Sequence, residues 1–214
     1  MKPYNPLEKE NLGKSVADSL ILQLPVPLGK ITPFEGAGIY AIYYQGDYED
    51  YRGLKKWNCE GAEFSIPIYV GKAIPEGGRK GTGEVRKKRP RPPLYTRLSE
   101  HRKTLEGTGN LDINDFWCRY LLVDDIWIPL GESLMIRRYR PVWNTLVDGF
   151  GNHPPGKGRE KGARPIWDTL HPGRRWAEIL PPSNLSVEQI KHHIAQYLEA
   201  YETFQTTNPA PDNL

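Results

Sequence analysis

The strongest constraint on this chain's fold is the run at residues 38–44, GIYAIYY, an unbroken apolar and aromatic stretch opened by a glycine. Such a run reads as a buried strand, and residues 66–70, followed by Gly71, read as its partner. The connection between them contains DYEDYRGLKKWNCEGAEFS. That is far longer than an ordinary hairpin loop of about two to five residues, and a loop of this length inside a compact core is usually functional. Residues 116–123, FWCRYLLV, supply a third strand.

Helical periodicity surrounds these strands. After Asn5-Pro6, Leu12, Val16 and Leu20 recur every four residues, which predicts an amphipathic helix ending before Pro25 and Pro27. A second helix is predicted from Leu94 to about Leu105, and a third over 129–139, stopped by Pro141. The fourth, over 186–204, opens with a capping box of Ser186 and Gln189 and carries one apolar stripe of Val187, Ile190, Ile194, Tyr197, Leu198 and Tyr201. Two segments resist this treatment. Residues 79–93, RKGTGEVRKKRPRPP, form a basic, proline-bounded stretch without apolar period and are expected to be exposed; residues 149–165, GFGNHPPGKGREKGARP, read as a flexible basic loop.

At 214 residues the chain suits one domain with elaborations, and we expect no second core. A hydrophobic fraction of 38% is enough for a packed interior, while a mean hydropathy of −0.63 leaves a strongly polar surface. The net charge of +3 understates the basic clusters, which matter more to a polyanion than the total does. Two cysteines, Cys59 and Cys118, exclude a disulfide framework and a cysteine-rich zinc site, so inert thiols in a cytoplasmic chain are expected. No stretch approaches the roughly 18 apolar residues of a membrane span, and MKPYNPLEKEN lacks the apolar core of a signal peptide.

The helices break their own pattern in two places. Leu94, Arg97, Leu98, His101 and Leu105 share one face of the second helix, which puts an arginine and a histidine in the core-facing stripe. Either both lie at the stripe's edge, with Arg97 reaching water, or the face borders a cleft that receives an anion, because a buried guanidinium is costly without one. On the third helix Glu132 shares a face with Met135, Ile136 and Tyr139. Its first-turn position is favoured by the helix dipole, yet a carboxylate on an apolar stripe also calls for a partner. A cation, an imidazole and a carboxylate converging on one core suit phosphate chemistry, in which a metal and an arginine share the transition-state charge.

Gly38-Ile39-Tyr40, then Tyr69-Val70-Gly71, then Arg97 and His101 four apart on a helix, then Glu132, then Asn144 after Pro141-Val142-Trp143, together resemble the ordered motifs of the GIY-YIG nuclease superfamily. The resemblance spans roughly residues 36–148. Val70 replaces an isoleucine, a change that a strand core tolerates. The long insertion between the first two motifs makes the chain most similar to the elaborated type II restriction endonucleases of the superfamily.

The resemblance implies an α+β fold in which a small three-stranded antiparallel sheet is flanked by helices, with long insertions and extra N- and C-terminal helices. The expected organisation is a single nuclease domain over 1–214: an N-terminal helical arm (1–33), a GIY-YIG core at about 34–150, and a C-terminal extension (151–214). It implies that Tyr40 takes the proton of the attacking water, with His101 as its neighbouring acceptor, and that Tyr69 hydrogen-bonds near the scissile phosphate. Arg97 would hold a nonbridging phosphate oxygen, and Glu132 would be the single protein ligand of Mg²⁺. Asn144 either orients a site residue or strand end, or closes the corner after the helix. Lys72 would contribute charge, and Arg86, Lys87, Lys88, Arg89 and Arg91 would contact DNA phosphates, reinforced by Lys157, Arg159, Lys161 and Arg164. The implied function is site-specific, Mg²⁺-dependent cleavage of double-stranded DNA by a homodimer. The alternatives are a structure-selective repair or mobile-element nuclease, and a noncatalytic DNA-binding protein on the same fold.

Overall fold

Four strands form one antiparallel sheet in the order β1-β4-β2-β3, with β1 at Val26–Pro27, β2 at Gly38–Tyr44, β3 at Tyr69–Ala73 and β4 at Phe116–Leu122. The computed structural model describes residue 5 and residues 7–59, 64–75, 92–156 and 162–207, with side chains described as far as 203. The α+β class agrees with expectation, but among the described residues the sheet has four strands rather than three. The extra one is the two-residue β1, which pairs Val26 with Cys118 and Pro27 with Trp117 at the sheet edge. The prolines that stop the preceding helix hid this strand, because a proline cannot donate to a ladder and is tolerated only at such an edge.

β2 is buried along its whole length, since β3 and β4 flank it and helices cover both faces. Its partner starts later than the apolar run suggests. Pro67 has no N–H, and Ile66 is held instead by Asn58, which accepts from Ile66 N at 3.1 Å and donates to its carbonyl at 3.0 Å. Pairing with β2 therefore begins where Ile68 N donates to the Ile42 carbonyl (2.8 Å), and the ladder proper is Tyr69–Ala73. Buried Asn58 ends α2 (Lys55–Asn58), the helical turn that follows the 3-10 segment Glu49–Leu54, so the described first part of the long insertion is helical and is tied to Ile66 by this amide.

Register sorts the side chains between two faces. Tyr40 pairs with Gly71 and Tyr120, which puts them on one face, under α3 (Pro93–Glu106). Ile39 pairs with Lys72 on the other face, against α4 (Ile128–Tyr139). α4 in turn packs on α1 (Lys9–Ile21), where Gly13, Ala17 and Leu20 are buried and Arg138 bonds Asp18 at 2.9 Å. The buried face of α1 is thus rotated slightly from the expected Leu12-Val16-Leu20 line.

The chain then turns through Arg140, in the left-handed conformation, into α5 (Val142–Thr145). α6 (Ile166–Leu170) and α7 (Arg175–Glu178) follow; neither is foreseen by periodicity, because each is about one turn long. In α8 (Val187–Thr207) the capping box forms as expected: Ser186 N donates to Gln189 Oε1 (2.9 Å) and Gln189 N to Ser186 Oγ (3.2 Å). Tyr201 and Tyr197 of α8 donate to the carbonyls of Tyr139 and Arg140 (2.5 and 2.6 Å), closing the C-terminus of α4. Trp143, Trp167, Phe116, Phe150 and Tyr51 fill the core between α5, α6 and the sheet. A buried histidine sits among them. His171 accepts from Tyr51 Oη at Nε2 (2.8 Å) and meets Asn110 Oδ1 at Nδ1 (3.1 Å). Cys118 is buried in β4, its thiol pushed up to about 12 by desolvation, while Cys59 is exposed at the end of α2, so the two form no disulfide.

Candidate active site

Tyr40, at the centre of β2, points into the α3 face, where its hydroxyl meets His101 Nε2 at 2.6 Å. The contact is possible because the residue paired with Tyr40 is Gly71: a β-carbon there would lie 2.3 Å from Tyr40 Oη and 2.5 Å from Cζ. The other motif glycine works against backbone, since a β-carbon on Gly38 would lie 1.9 Å from the Leu121 carbonyl oxygen. Both glycines are therefore steric requirements of the sheet around Tyr40.

The α3 stripe splits its two polar residues: His101 lies inside it and Arg97 at its edge. Leu94, Leu98, His101 and Leu105 are buried, with His101 only 2% exposed. Arg97 sits at the edge, its side chain 19% exposed, and its donors go to Gly151 O (2.5 Å), His153 Nε2 (2.8 Å) and Glu100 (3.2 Å). Burial drives the His101 imidazole well below its ordinary value, and the nearby Arg97 charge adds to this, so it is neutral and able to accept a proton. Burial likewise drives the Tyr40 phenol well above 10. The pair therefore rests as a neutral phenol donating to a neutral imidazole.

Tyr69 lies on the same face, its ring 6.2 Å from that of Tyr40 and 5.3 Å from His101, and unlike Tyr40 it is partly exposed. Desolvation raises its hydroxyl, and the Arg97 charge opposes that rise. Glu132 belongs to the opposite face, on α4, where Lys72 of β3 donates to its Oε2 at 2.5 Å. Its charge still acts on both tyrosines, raising each, so the site straddles β3. The charge of Lys72 is paired with this carboxylate, since ladder register sends the side chain to the α4 side. Asn144 takes the first of its two expected roles: Oδ1 accepts from Val70 N and Nδ2 donates to Val70 O, both at 2.8 Å. It braces the strand between Tyr69 and Gly71.

The structure therefore brings Tyr40, Tyr69, Arg97, His101, Glu132, Asn144 and Lys72 together. Arg86, Lys87, Lys88, Arg89 and Arg91 lie outside the described residues, as do Lys157, Arg159 and Lys161. Arg164 donates to the carbonyls of Ala177 and Glu178 at 3.1 and 2.8 Å and fixes α7. Sequence reasoning missed the segment after Val147. Phe150 stacks on His101 (centroids 4.4 Å, 17°), and Gly151 and His153 hold Arg97, so the start of the supposed flexible loop is a wall of the site.

For a metal, the donor set is one carboxylate, because among the described residues no group of three or more His, Cys, Asp or Glu side chains converges. That set fits a cation that keeps most of its waters and takes one or two carboxylates. Glu132 would hold it through Oε1, or through both oxygens after Lys72 yields.

A small antiparallel sheet carrying paired tyrosines over an Arg–His helix, with a glutamate and an asparagine behind the edge strand, defines a GIY-YIG nuclease. The model of the Eco29kI GIY-YIG domain family matches residues 32–198, and the chain belongs to that family, a GIY-YIG family of type II restriction endonucleases. It is thus a nuclease of the restriction type with DNA as its substrate. No curated protein matches the chain. Among the described residues no helix is long and apolar enough to cross a membrane.

Proposed function

We propose that the protein is a type II restriction endonuclease that hydrolyses double-stranded DNA at a defined sequence, with Mg²⁺ at Glu132 and Tyr40 as the base. The observation that carries this reading is the 2.6 Å contact between Tyr40 Oη and His101 Nε2. A tyrosine near pKa 10 is a poor base at neutral pH, and burial makes a free phenolate still less accessible. A relay removes that difficulty. Tyr40 gives its proton to His101 Nε2 as it takes one from the attacking water, so neither phenolate nor hydroxide stands alone. The new P–O bond forms as the bond to the 3′ oxygen breaks. Mg²⁺ at Glu132 would neutralise charge on the phosphate and on that leaving oxygen.

Arg97 offers a planar fork to a nonbridging oxygen, the geometry best suited to phosphate. Tyr69, partly exposed beside Tyr40, donates a hydrogen bond to the same phosphate. Tyr40 has no exposed surface, so the attacking water must arrive past Tyr69 as substrate opens that side. Asn144 keeps Tyr69 and Gly71 in register throughout. Each copy carries one such site, so cutting both strands symmetrically calls for a homodimer.

Digestion of a defined plasmid with Mg²⁺, followed by end mapping, tests the reading directly: discrete ends at one sequence are expected, and random nicking would refute site specificity. Glu132→Gln should abolish cutting while specific DNA binding persists, since it removes the ligand charge without bulk. Near wild-type cutting by that variant would refute the metal role.

A further inference from the structure

The side chain of Arg174 is 9% exposed, and each of its five N–H donors has an acceptor. Nε and Nη2 donate to the two oxygens of Asp168, each at 2.5 Å; Asp168 is itself 2% exposed. Nη1 donates to the carbonyls of Phe150 and Asn152, both at 3.0 Å, and Nη2 also to that of Gly149 at 2.8 Å. The indoles of Trp167 and Trp176 each lie 4.8 Å from its central carbon. A buried arginine this fully satisfied fixes whatever it bonds, and what it bonds is three backbone carbonyls within four consecutive residues.

That backbone is the wall of the candidate site. Phe150 stacks on His101 and meets Tyr69 edge-on, with ring centroids 5.1 Å apart. The Gly151 carbonyl receives Arg97 Nη2, and a β-carbon at Gly151 would lie 2.4 Å from Tyr69 Oη and 2.9 Å from Arg97 Nη2, so backbone and site are in direct contact. His153 follows, on Arg97 Nη1. Arg174 touches neither Arg97 nor His101 through any hydrogen bond, yet residues 149–153 transmit its position to both.

We propose that Arg174, locked by Asp168, is a positioning residue for phosphodiester cleavage: it sets the backbone of residues 149–152, which orients the Arg97 guanidinium and seals the His101 imidazole. This rests on the nuclease reading above. A lysine at 174 keeps the charge but has three donors on a single nitrogen, which cannot reach five acceptors spread across a planar fork. Residues 149–152 then relax, Arg97 loses its seat, and His101 gains water. The groups facing His101 are Tyr40 from β2, Tyr69 from β3, Arg97 from its own helix, and Phe150 and His153 from the wall, with the Arg174 charge behind. Of these, Arg97, His153 and Arg174 oppose protonation of His101, and so does its burial. Loosening the wall weakens the burial contribution most, and the His101 midpoint should climb towards 6.5.

The test is Arg174→Lys, followed by two readouts on the full chain. Single-turnover cleavage should slow by about 10- to 100-fold, the cost of displacing a catalytic group by roughly 1 Å, with DNA affinity nearly unchanged. NMR of labelled histidine should show the His101 resonance titrating at higher pH than in wild type. A purely structural role would lower the active fraction and leave both the rate per active molecule and the His101 titration unchanged, and that result overturns the proposal. If Arg174→Lys does not fold, Asp168→Asn keeps the shape and loosens the same clamp; wild-type rate and titration in that variant would be equally fatal. A wild-type protein that cuts no duplex in Mg²⁺ would refute the nuclease reading, whereas an unmoved His101 titration refutes the clamp even in an active enzyme.

Discussion

Replacing Gly71 by alanine tests the catalytic reading without touching any proposed catalytic group. The new methyl would lie 2.3 Å from Tyr40 Oη and 2.5 Å from Cζ, whereas non-bonded carbon contacts settle near about 3.5 Å, so the ring must retreat by roughly 1 Å. Tyr40 is fully buried, and His101 is already at 2.6 Å, which leaves no room to move directly towards it. A sideways slip of roughly 1 Å takes the pair out of hydrogen-bond geometry. The expected loss in single-turnover cutting is about 10²-fold, the low end of what a positioned base supplies. Overpacking should cost about 1–3 kcal/mol of stability, so a melting curve on the same preparation separates misfolding from misalignment. Combined with Tyr40→Phe, the substitution should add little further loss, because both remove the same relay. Cutting within a few-fold of wild type by a folded Gly71→Ala protein, or full additivity with Tyr40→Phe, would refute the relay.

Tyr40→Phe should lower single-turnover cutting by about 10²- to 10⁴-fold with DNA affinity retained. Wild-type cutting should fall as pH drops through the folded His101 midpoint, which lies well below 6.5, because a protonated imidazole cannot accept. The residual activity of Tyr40→Phe should lack that acid limb, and an identical profile in both proteins would remove His101 from the reaction. His171 bears on stability instead: burial lowers it from 6.5 to about 3 in the folded state, so its contribution is complete above 6.5 and is lost as pH falls towards 3. In that window the folded protein should lose about 1.4 kcal/mol per pH unit through this group. Denaturant titrations from pH 7 to 5 should show a shallower loss in His171→Gln, and equal slopes would exclude His171 as a source of acid sensitivity.

The parts of the fold that were legible in the sequence are those whose partners are close in sequence or repeat with a period. The run at 38–44 became β2, the stripe carrying Arg97 and His101 became α3, and Ser186 with Gln189 capped α8. What escaped depends on contacts between distant segments. The start of β3 is decided by Asn58 and Pro67 rather than by hydropathy. Lys72 looks like a free cation until ladder register turns it to Glu132, 60 positions away. The wall at 149–153 reads as a basic loop because the arginine holding it lies more than twenty residues further on, just before a helical turn too short to show a period. One signal was available: Phe150, Trp167, Trp176 and His171 give that stretch an aromatic density foreign to an exposed linker.

The Asn144 amide has a consequence for assembly. β3 is the outer strand on its side of the sheet, and the N–H and C=O of Val70 face away from β2 into the two bonds from Asn144. The Ile68 carbonyl just before it is taken by Trp143 N (3.0 Å). A side chain and a helical turn thus occupy the places a fifth strand would use, which blunts the edge against template pairing. At Ile68 and Val70 this edge therefore offers a second copy no free ladder groups to pair with. In the dimer proposed above, two sites could then meet one duplex without this edge strand becoming a seed for open-ended association.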